Sequence, residues 1–431
     1  LTTATTASSN TAIGHDALKA TTTGGQNNAF GDGAMDENTT GCRNVAMGNA
    51  ALGKNTEGLC NVAIGYRALI CNLTGDSNTA VGASALDKNT AGDNTAVGHI
   101  SLACNTTGSC NSALGTGSLT ANTTGAENTS IGSASMLGNT EGDGNVAVGR
   151  NALRCNTTAN SNTAVGVTAL CTNSTGANNV AVGRTALEKN VATANTAVGF
   201  ASMRCTTSGS ANAAFGQCAL NALTTGSNNM AVGSEAARKL TTGGDNIAMG
   251  RSAMLDATNA SGNVALGNEA VENLTSGSNN VGVGKHALRN LTSGGNNIGV
   301  GVCAGADASM INITTESNRF VAGHNDITNS YVKVDWTVTS DLRDKTEIGN
   351  VPVGLQFVDK LKPVSFRFKK SRENPEPHGF KKYGFLAQDI LELEGSNNVI
   401  IDNENDENLK VTNSHLIPVL VNAIKELKAE I

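Results

Sequence analysis

"NTAVGASALDKNTAGD" (Asn78–Asp93) and "NVAVGRTALEKNVATA" (Asn179–Ala194) are two copies of one unit. Each opens on Asn, any residue, Ala, an apolar residue and Gly. That opening returns about every 17 residues, as "NTAIG" at Asn10, "NVAMG" at Asn44, "NVAIG" at Asn61, "NTAVG" at Asn162 and "NIGVG" at Asn297. About 18 copies fit before Cys303, two of them followed by a unit one residue short. In one copy the apolar stretches Val180–Val182 and Ala186–Leu187 are joined by a Gly turn, and a longer turn rich in Asn, Thr and Gly completes the unit.

A unit this short cannot enclose a core, so it must stack on its neighbours as a solenoid. The alternation in "VAV" indicates strand. Gly and Asn supply turn positions that tolerate positive φ. Helical solenoid units are about twice as long. The expected fold is therefore mainly β: a parallel β-roll or β-solenoid with one coil per repeat, forming a rod on the order of 85 Å long. A core of Ala, Val and Gly is thin, and lateral association of several rolls would bury more apolar surface.

Composition agrees. Aromatic residues are 3% and charged residues 15% of the 431 residues, while Gly numbers 50. A globular enzyme of this length carries more of both aromatic and charged residues. A net charge of −6 argues against a nucleic-acid partner. No apolar run is long enough to insert in a membrane. Leu1 in place of a methionine, and a helical pattern still running at Ile431, point to a fragment of a longer protein.

The "NVAVGxxAL" units resemble the head repeats of trimeric autotransporter adhesins over about residues 10–302. That resemblance implies a left-handed parallel β-roll wound as a homotrimer, although the repeat here is longer.

All ten Cys lie at or before Cys303. Cys71, Cys104, Cys155 and Cys205 share one offset in non-adjacent coils. Cys42 with Cys60, and Cys155 with Cys171, fall near one offset of adjacent coils, where coil spacing gives disulfide reach. The competing reading is that Cys is one more small buried residue of the stack. No C-x-x-C pair occurs, so no metal site is expected. "NLT" at Asn72 and "NTT" at Asn122 have the form of glycosylation acceptors but read more simply as turn chemistry.

The repeat decays from Cys303, with "NRFVAG" at Asn318 as a last distorted coil. "YVKVDWTVT" alternates Val332, Val334, Trp336 and Val338 and reads as a strand, with Trp336 capping the rod end. All five prolines lie at or after Pro352, where an ordinary α/β composition begins. Pro363–Lys370 reads as a strand, Ser371–Lys382 as a loop, and Tyr383–Glu394 as an extended start leading into a helix. Next comes an acidic, turn-rich stretch flanking short strands. In the closing helix, Ile417, Leu420, Ile424, Leu427 and Ile431 follow the a/d spacing of a coiled coil, with Pro418 in the first turn.

At the seam stands "SDLRDK" (Ser340–Lys345). A Ser hydroxyl needs a base to attack, and a Lys amine can serve once desolvated. On its own the hexapeptide is better read as a helix start, with Ser340 the N-cap and Asp341 in the first turn. However, "SDLRDKTEI", "LQFVDKLKPVSFRFK", "YGFLAQDILE" and "HLIPVLVNAIKELKAEI" occur in order across Ser340–Ile431. Together they resemble the C-terminal intramolecular chaperone and auto-processing domain of phage tailspikes, tail fibres and endosialidases. This resemblance implies a trimeric chaperone that assembles its fibre and then releases itself. Ser340 would be the nucleophile, Lys345 its general base, Thr339–Ser340 the scissile bond, and Asp341 and Arg343 supporting residues; no cofactor is implied.

The expected organisation is a rod at 1–302, a rod-end transition strand at 303–339 and a small α/β chaperone domain at 340–431 whose terminal helix, 416–431, trimerises. The expected protein is a homotrimeric virion fibre. It would act at the host surface through a receptor or glycan, join other fibre or baseplate proteins, and self-cleave. A bacterial surface adhesin with a non-cleaving chaperone is the alternative. A glycan-degrading rod is a third reading, disfavoured because the repeats carry no acidic cluster that breaks the pattern.

Overall fold

A computed structural model describes residues 5–306, 311–333, 338–369, 372, 374–396, 398–404 and 406–431. The chain divides into two compact units, 1–324 and 325–431.

The first unit is the expected roll. Its strands, β1 (Thr11–Ile13) to β19 (Phe320–Ala322), form one parallel sheet of 19 strands, one per coil. The distorted copy at Asn318 supplies the last of them. Register is kept column by column: Ala46 faces Ala63, Ala63 faces Ala80, and Ala80 faces Ala96. Each strand lasts only three residues because the Gly that follows turns the chain. Gly115 has φ 132°, and a Cβ there would lie 2.7 Å from the carbonyl group of Gly132 in the next coil. Only Gly fits such a column.

The central residue of each strand, Ala in most coils, points inward, as do the Ala and Leu after the turn. Ala51, Leu52, Ala68 and Leu69 are fully buried. These leucines adopt left-handed backbone, φ 50° at Leu52 and 55° at Leu69. A non-glycine residue rarely sits there, and the strain, about 1–3 kcal/mol per residue, persists only where the surroundings over-determine it. Here the coil stack does so: Leu52 N–H donates to the Ala68 carbonyl at 2.9 Å, and Leu69 N–H to that of Ala85 at 2.9 Å.

From Asn27 to Asn297 the Asn that opens each repeat is buried. Its side chain forms a ladder along the rod. Asn128 Oδ1 accepts both the backbone N–H of Asn145, at 3.0 Å, and its Nδ2–H, at 3.2 Å. Asn128 Nδ2 in turn donates to Asn111 Oδ1 at 3.1 Å and to the Gly142 carbonyl at 2.8 Å. A second ladder runs through the turn asparagines Asn38, Asn55, Asn72 and onward, with Asn55 Nδ2 donating to Asn38 Oδ1 at 2.8 Å. From Thr206 on, the same place is taken by Leu223, Leu240, Leu274 and Leu291, all fully buried. The rod therefore has a polar seam in its N-terminal part and an apolar one in its C-terminal part.

The two short units appear at Thr79↔Thr95 and Val180↔Thr196, where strand partners are 16 residues apart. Strand register survives because the missing residue comes out of the turn. The second ladder does not: Asn89 and Asn190 donate to the carbonyls of Ala91 and Ala192 instead. As a result Asn72 Oδ1 and Asn173 Oδ1 are left without a hydrogen-bond partner.

Asn72 and Asn122 are fully buried. Turn chemistry is therefore the correct reading of both acceptor-like triplets. All ten cysteines are free thiols, half-buried or exposed. This corrects both expectations for them. They form no disulfides, and they are not core residues, because their offsets fall on the outer turns.

The second unit is small. Helix α1 (Leu355–Asp359) precedes an antiparallel pair, β20 (Val364–Lys369) and β21 (Pro377–Gly384). Helix α2 (Ala387–Glu394), the short pair β22 (Ile401–Asp402) and β23 (Lys410–Val411), and helix α3 (Leu416–Glu430) complete it. Phe357, Ile390, Ile400, Ile401, Leu416 and Val419 form its core. The loop expected at Ser371–Lys382 is shorter than predicted, since Pro377 to Lys382 belong to β21. Proline is tolerated there at the first residue of the strand. Tyr331–Lys333 and Val338–Thr339 are not in a strand, and the middle of the expected alternation, Val334 and Trp336 included, lies outside the described residues. Pro418 falls in the first turn of α3, where no N–H is required.

Asn128→Ala leaves the Asn145 N–H without its acceptor inside the stack. Thermal unfolding of the rod should show a loss of about 1–3 kcal/mol. Substituting the exposed Glu127 next to it should leave the transition unchanged.

Candidate functional site

The seam residues lie on a single turn of 3-10 helix, Leu342–Asp344. Its N-cap is Asp341, whose Oδ1 accepts the Arg343 N–H at 2.9 Å. Ser340 is thus not the cap, contrary to the helix-start reading. The Arg343 guanidinium also folds back on the Asp341 carboxylate, with Nε to Oδ1 at 3.1 Å and Nη2 to Oδ2 at 2.6 Å. Hydrogen bonds from the Arg343 side chain and backbone hold the Asp341 carboxyl below its ordinary range and raise Arg343 in return.

The chain leaves the helix at Lys345, which has extended φ and ψ. Its side chain turns back over the turn, and Nζ donates to Ser340 Oγ at 2.6 Å. The turn therefore brings together two groups five residues apart, with the Asp341–Arg343 pair bracing the residues between them. Ser340 and Lys345 are both exposed. In this arrangement the amine donates. A general base must accept, and withdrawal from water is what favours the neutral amine.

Two residues for which the sequence carried no signal tie the downstream segment to the terminal helix. Glu426 Oε2 on α3 accepts the Leu355 N–H at 2.6 Å, at the start of α1. Asn422 Nδ2 donates to the Val353 carbonyl and to Glu426 Oε1, both at 3.0 Å. A Cβ on Gly354 would lie 2.2 Å from the Glu426 carboxylate, so the clamp depends on glycine there. A third such residue is Glu394 at the end of α2, whose carboxylate accepts the N–H groups of Val399, Ile400 and Ile401 at 2.7–3.0 Å.

Helix α3 has two apolar faces. Leu416, Val419 and Ala423 are buried. Ile417, Leu420, Ile424 and Leu427, the a/d residues read from sequence, face solvent.

Residues 340–399 match the family model of the chaperone of endosialidase, a peptidase family. The C-terminal unit carries a chaperone of endosialidase domain. Such a domain indicates a phage tail-fibre or endosialidase-like protein, and its family is one of self-cleaving serine-type peptidases. The match begins at Ser340 and takes in the Ser340–Lys345 hydrogen bond, α1, the β20–β21 pair and α2. No curated protein matches the chain.

Because Arg343 depresses Asp341, their pair persists at neutral pH and is lost only as pH falls through that lowered value. Carboxyl-detected NMR titration should place Asp341 below an unpaired aspartate, and Arg343→Ala should return it to the ordinary range.

Proposed function

We propose that the chain is a homotrimeric fibre protein of a virus or phage whose C-terminal unit directs assembly and then cuts the Thr339–Ser340 bond. The observation that carries this reading is the family match beginning at Ser340, the residue that receives the Lys345 hydrogen bond.

The chemistry follows from the atoms. Ser340 Oγ attacks the carbonyl carbon of Thr339 while its proton passes to Lys345 Nζ. The C–N bond breaks, the Ser340 nitrogen takes the proton, and an ester links Thr339 to Ser340 Oγ. Water hydrolyses the ester, leaving the Thr339 carboxylate on the rod and a free Ser340 amine on the released domain. Lys345 must first be desolvated, and packing against neighbouring chains in the trimer supplies that. Cleavage then waits for assembly. Asp341 and Arg343 hold the turn that keeps the dyad closed.

Trimerisation rests on two apolar stripes exposed on the single chain. One is the α3 seam. The other is the outward third residue of the strands, including Phe30, Met47, Ile64, Leu114, Phe215 and Met249. A stripe that repeats with every coil fits best against another of the same spacing, which is a second copy of the chain. Three near-periodic rods could pair in many slipped registers of similar stability. A C-terminal trimer that forms first sets the register before coiling propagates. Once the domain is released, the rod has lost its nucleation site and is kinetically trapped. In the virion the mature rod would join other fibre or baseplate proteins and reach a host surface receptor or glycan.

Expression of the chain followed by a denaturing gel should give two fragments, the smaller beginning at Ser340. Ser340→Ala and Lys345→Ala should each stay full length while sedimenting as trimers; normal cleavage in both would exclude the dyad. Ile424→Asp with Leu427→Asp should abolish trimers and, with them, cleavage. A monomeric wild type by sedimentation would reject the assembly.

A further inference from the structure

Glu269, His286 and Cys303 occupy the same position in three consecutive coils, with φ of 53°, 58° and 53°. Coil-to-coil hydrogen bonds fix their backbones: His286 N–H donates to the Asn268 carbonyl at 3.0 Å and Cys303 N–H to that of Lys285 at 2.8 Å. Stacking therefore lines the three side chains up in one column. His286 Nε2 is 3.0 Å from Glu269 Oε2, with the two side chains only 19% and 15% exposed. On the other edge of the ring, Nδ1 is 3.9 Å from Cys303 Sγ, within reach of a sulfur donor.

The order of these contacts assigns the tautomer. A carboxylate can only accept, so the imidazole proton resides on Nε2, and the Nδ1 lone pair faces the thiol. Glu269 is itself held by Arg251 and by Arg289 Nη2 at 3.3 Å, and Arg289 Nε pairs with Glu272 Oε2 at 2.7 Å. The charged groups around the imidazole are thus two carboxylates and two guanidiniums, with the carboxylate nearer the ring tied on three sides. Nucleophile, base and orienting acid stand in sequence, which is the arrangement that activates a thiol.

We propose that Cys303 is a nucleophilic thiol of the rod, with His286 as its base and Glu269 as the positioning residue, and that it undergoes exchange with disulfides. The thiol proton passes to His286 Nδ1 as sulfur attacks one sulfur of the incoming disulfide. The old S–S bond breaks, a mixed disulfide forms on Cys303, and the departing thiolate leaves as a thiol with the proton from His286. The incoming disulfide is itself the oxidant: its departing sulfur is reduced to a thiol as the Cys303 sulfur is oxidised into the mixed disulfide.

The fold supplies an internal control. Cys218 occupies the same position in its coil, with φ 55°, but its column neighbours are Ala201 and Glu235 and include no imidazole. The full chain treated with substoichiometric dithiodipyridine near neutral pH, then mapped by mass spectrometry, should carry the label first on Cys303, about ten-fold faster than on Cys218. His286→Gln should bring Cys303 down to the Cys218 rate without changing Cys218, whose rate reports that the stack is intact. Glu269→Gln should keep part of the acceleration and alter its pH profile. Equal labelling of Cys303 and Cys218 in the wild-type chain overturns the proposal, and so does an unchanged Cys303 rate in His286→Gln.

Discussion

Every part of the rod depends on one constraint, that a buried polar group needs a partner. A coil of about 17 residues with a three-residue strand leaves most of its backbone outside any strand. Most of those N–H and C=O groups find partners in a neighbouring coil, and the rest close short turns within their own, as Ala51 N–H does on the Gly48 carbonyl and Asn55 N–H on that of Leu52. The opening Asn closes the hardest gap. With one oxygen it accepts a backbone N–H and a side-chain N–H from the coil above, and with its amide it reaches back to the coil below and across to a turn carbonyl. No other residue of that size combines acceptor and donor at this spacing. Ser and Thr lack the second donor, and Asp lacks any.

The same constraint explains where the rod departs from regularity. Removing one residue from a turn leaves the strands in register, because strand pairing is set by Ala over Ala. The turn ladder loses its step, and Asn72 and Asn173 carry the orphaned oxygens. Further along, Leu replaces Asn in that ladder. A leucine brings no polar group that needs a partner, so a dry seam tolerates irregular spacing better than an amide ladder does. The five-residue lengthening of the last coil, where Ile298 faces Phe320, falls in this apolar part.

In the second unit the constraint works through single side chains. The Glu426 carboxylate takes the N–H at the start of α1, Glu394 takes three N–H groups after α2, and Asp341 takes that of Arg343. All are carboxylates meeting backbone donors, Glu394 in the segment that leads into β22, and Glu426 and Asp341 at the starts of short helices. The last of them shapes the turn across which Lys345 meets Ser340. The apolar faces left over, the a/d seam of α3 and the outward strand stripe, are those a single chain cannot cover.

The sequence alone determined the coil. An Asn and a Gly recurring every 17 residues admit few structures, since the Gly column forces a turn and the period forces stacking. It also placed the seam, the terminal helix and its a/d face, because those patterns are local. Only the tertiary structure decided what lay between distant residues. Pro377 to Lys382 read as part of a loop that holds two prolines and a glycine, yet pairing with β20 makes it strand. The cysteines looked like stack residues, and their offsets proved to lie on the outer turns. The N-cap passed from Ser340 to Asp341 because the guanidinium of Arg343 folded back on that carboxylate. Glu426 over Gly354, and Glu269 beneath His286 and Cys303, carry no sequence signature at all, since each contact joins chain segments through space and depends on backbone positions that only the packed coils and helices supply.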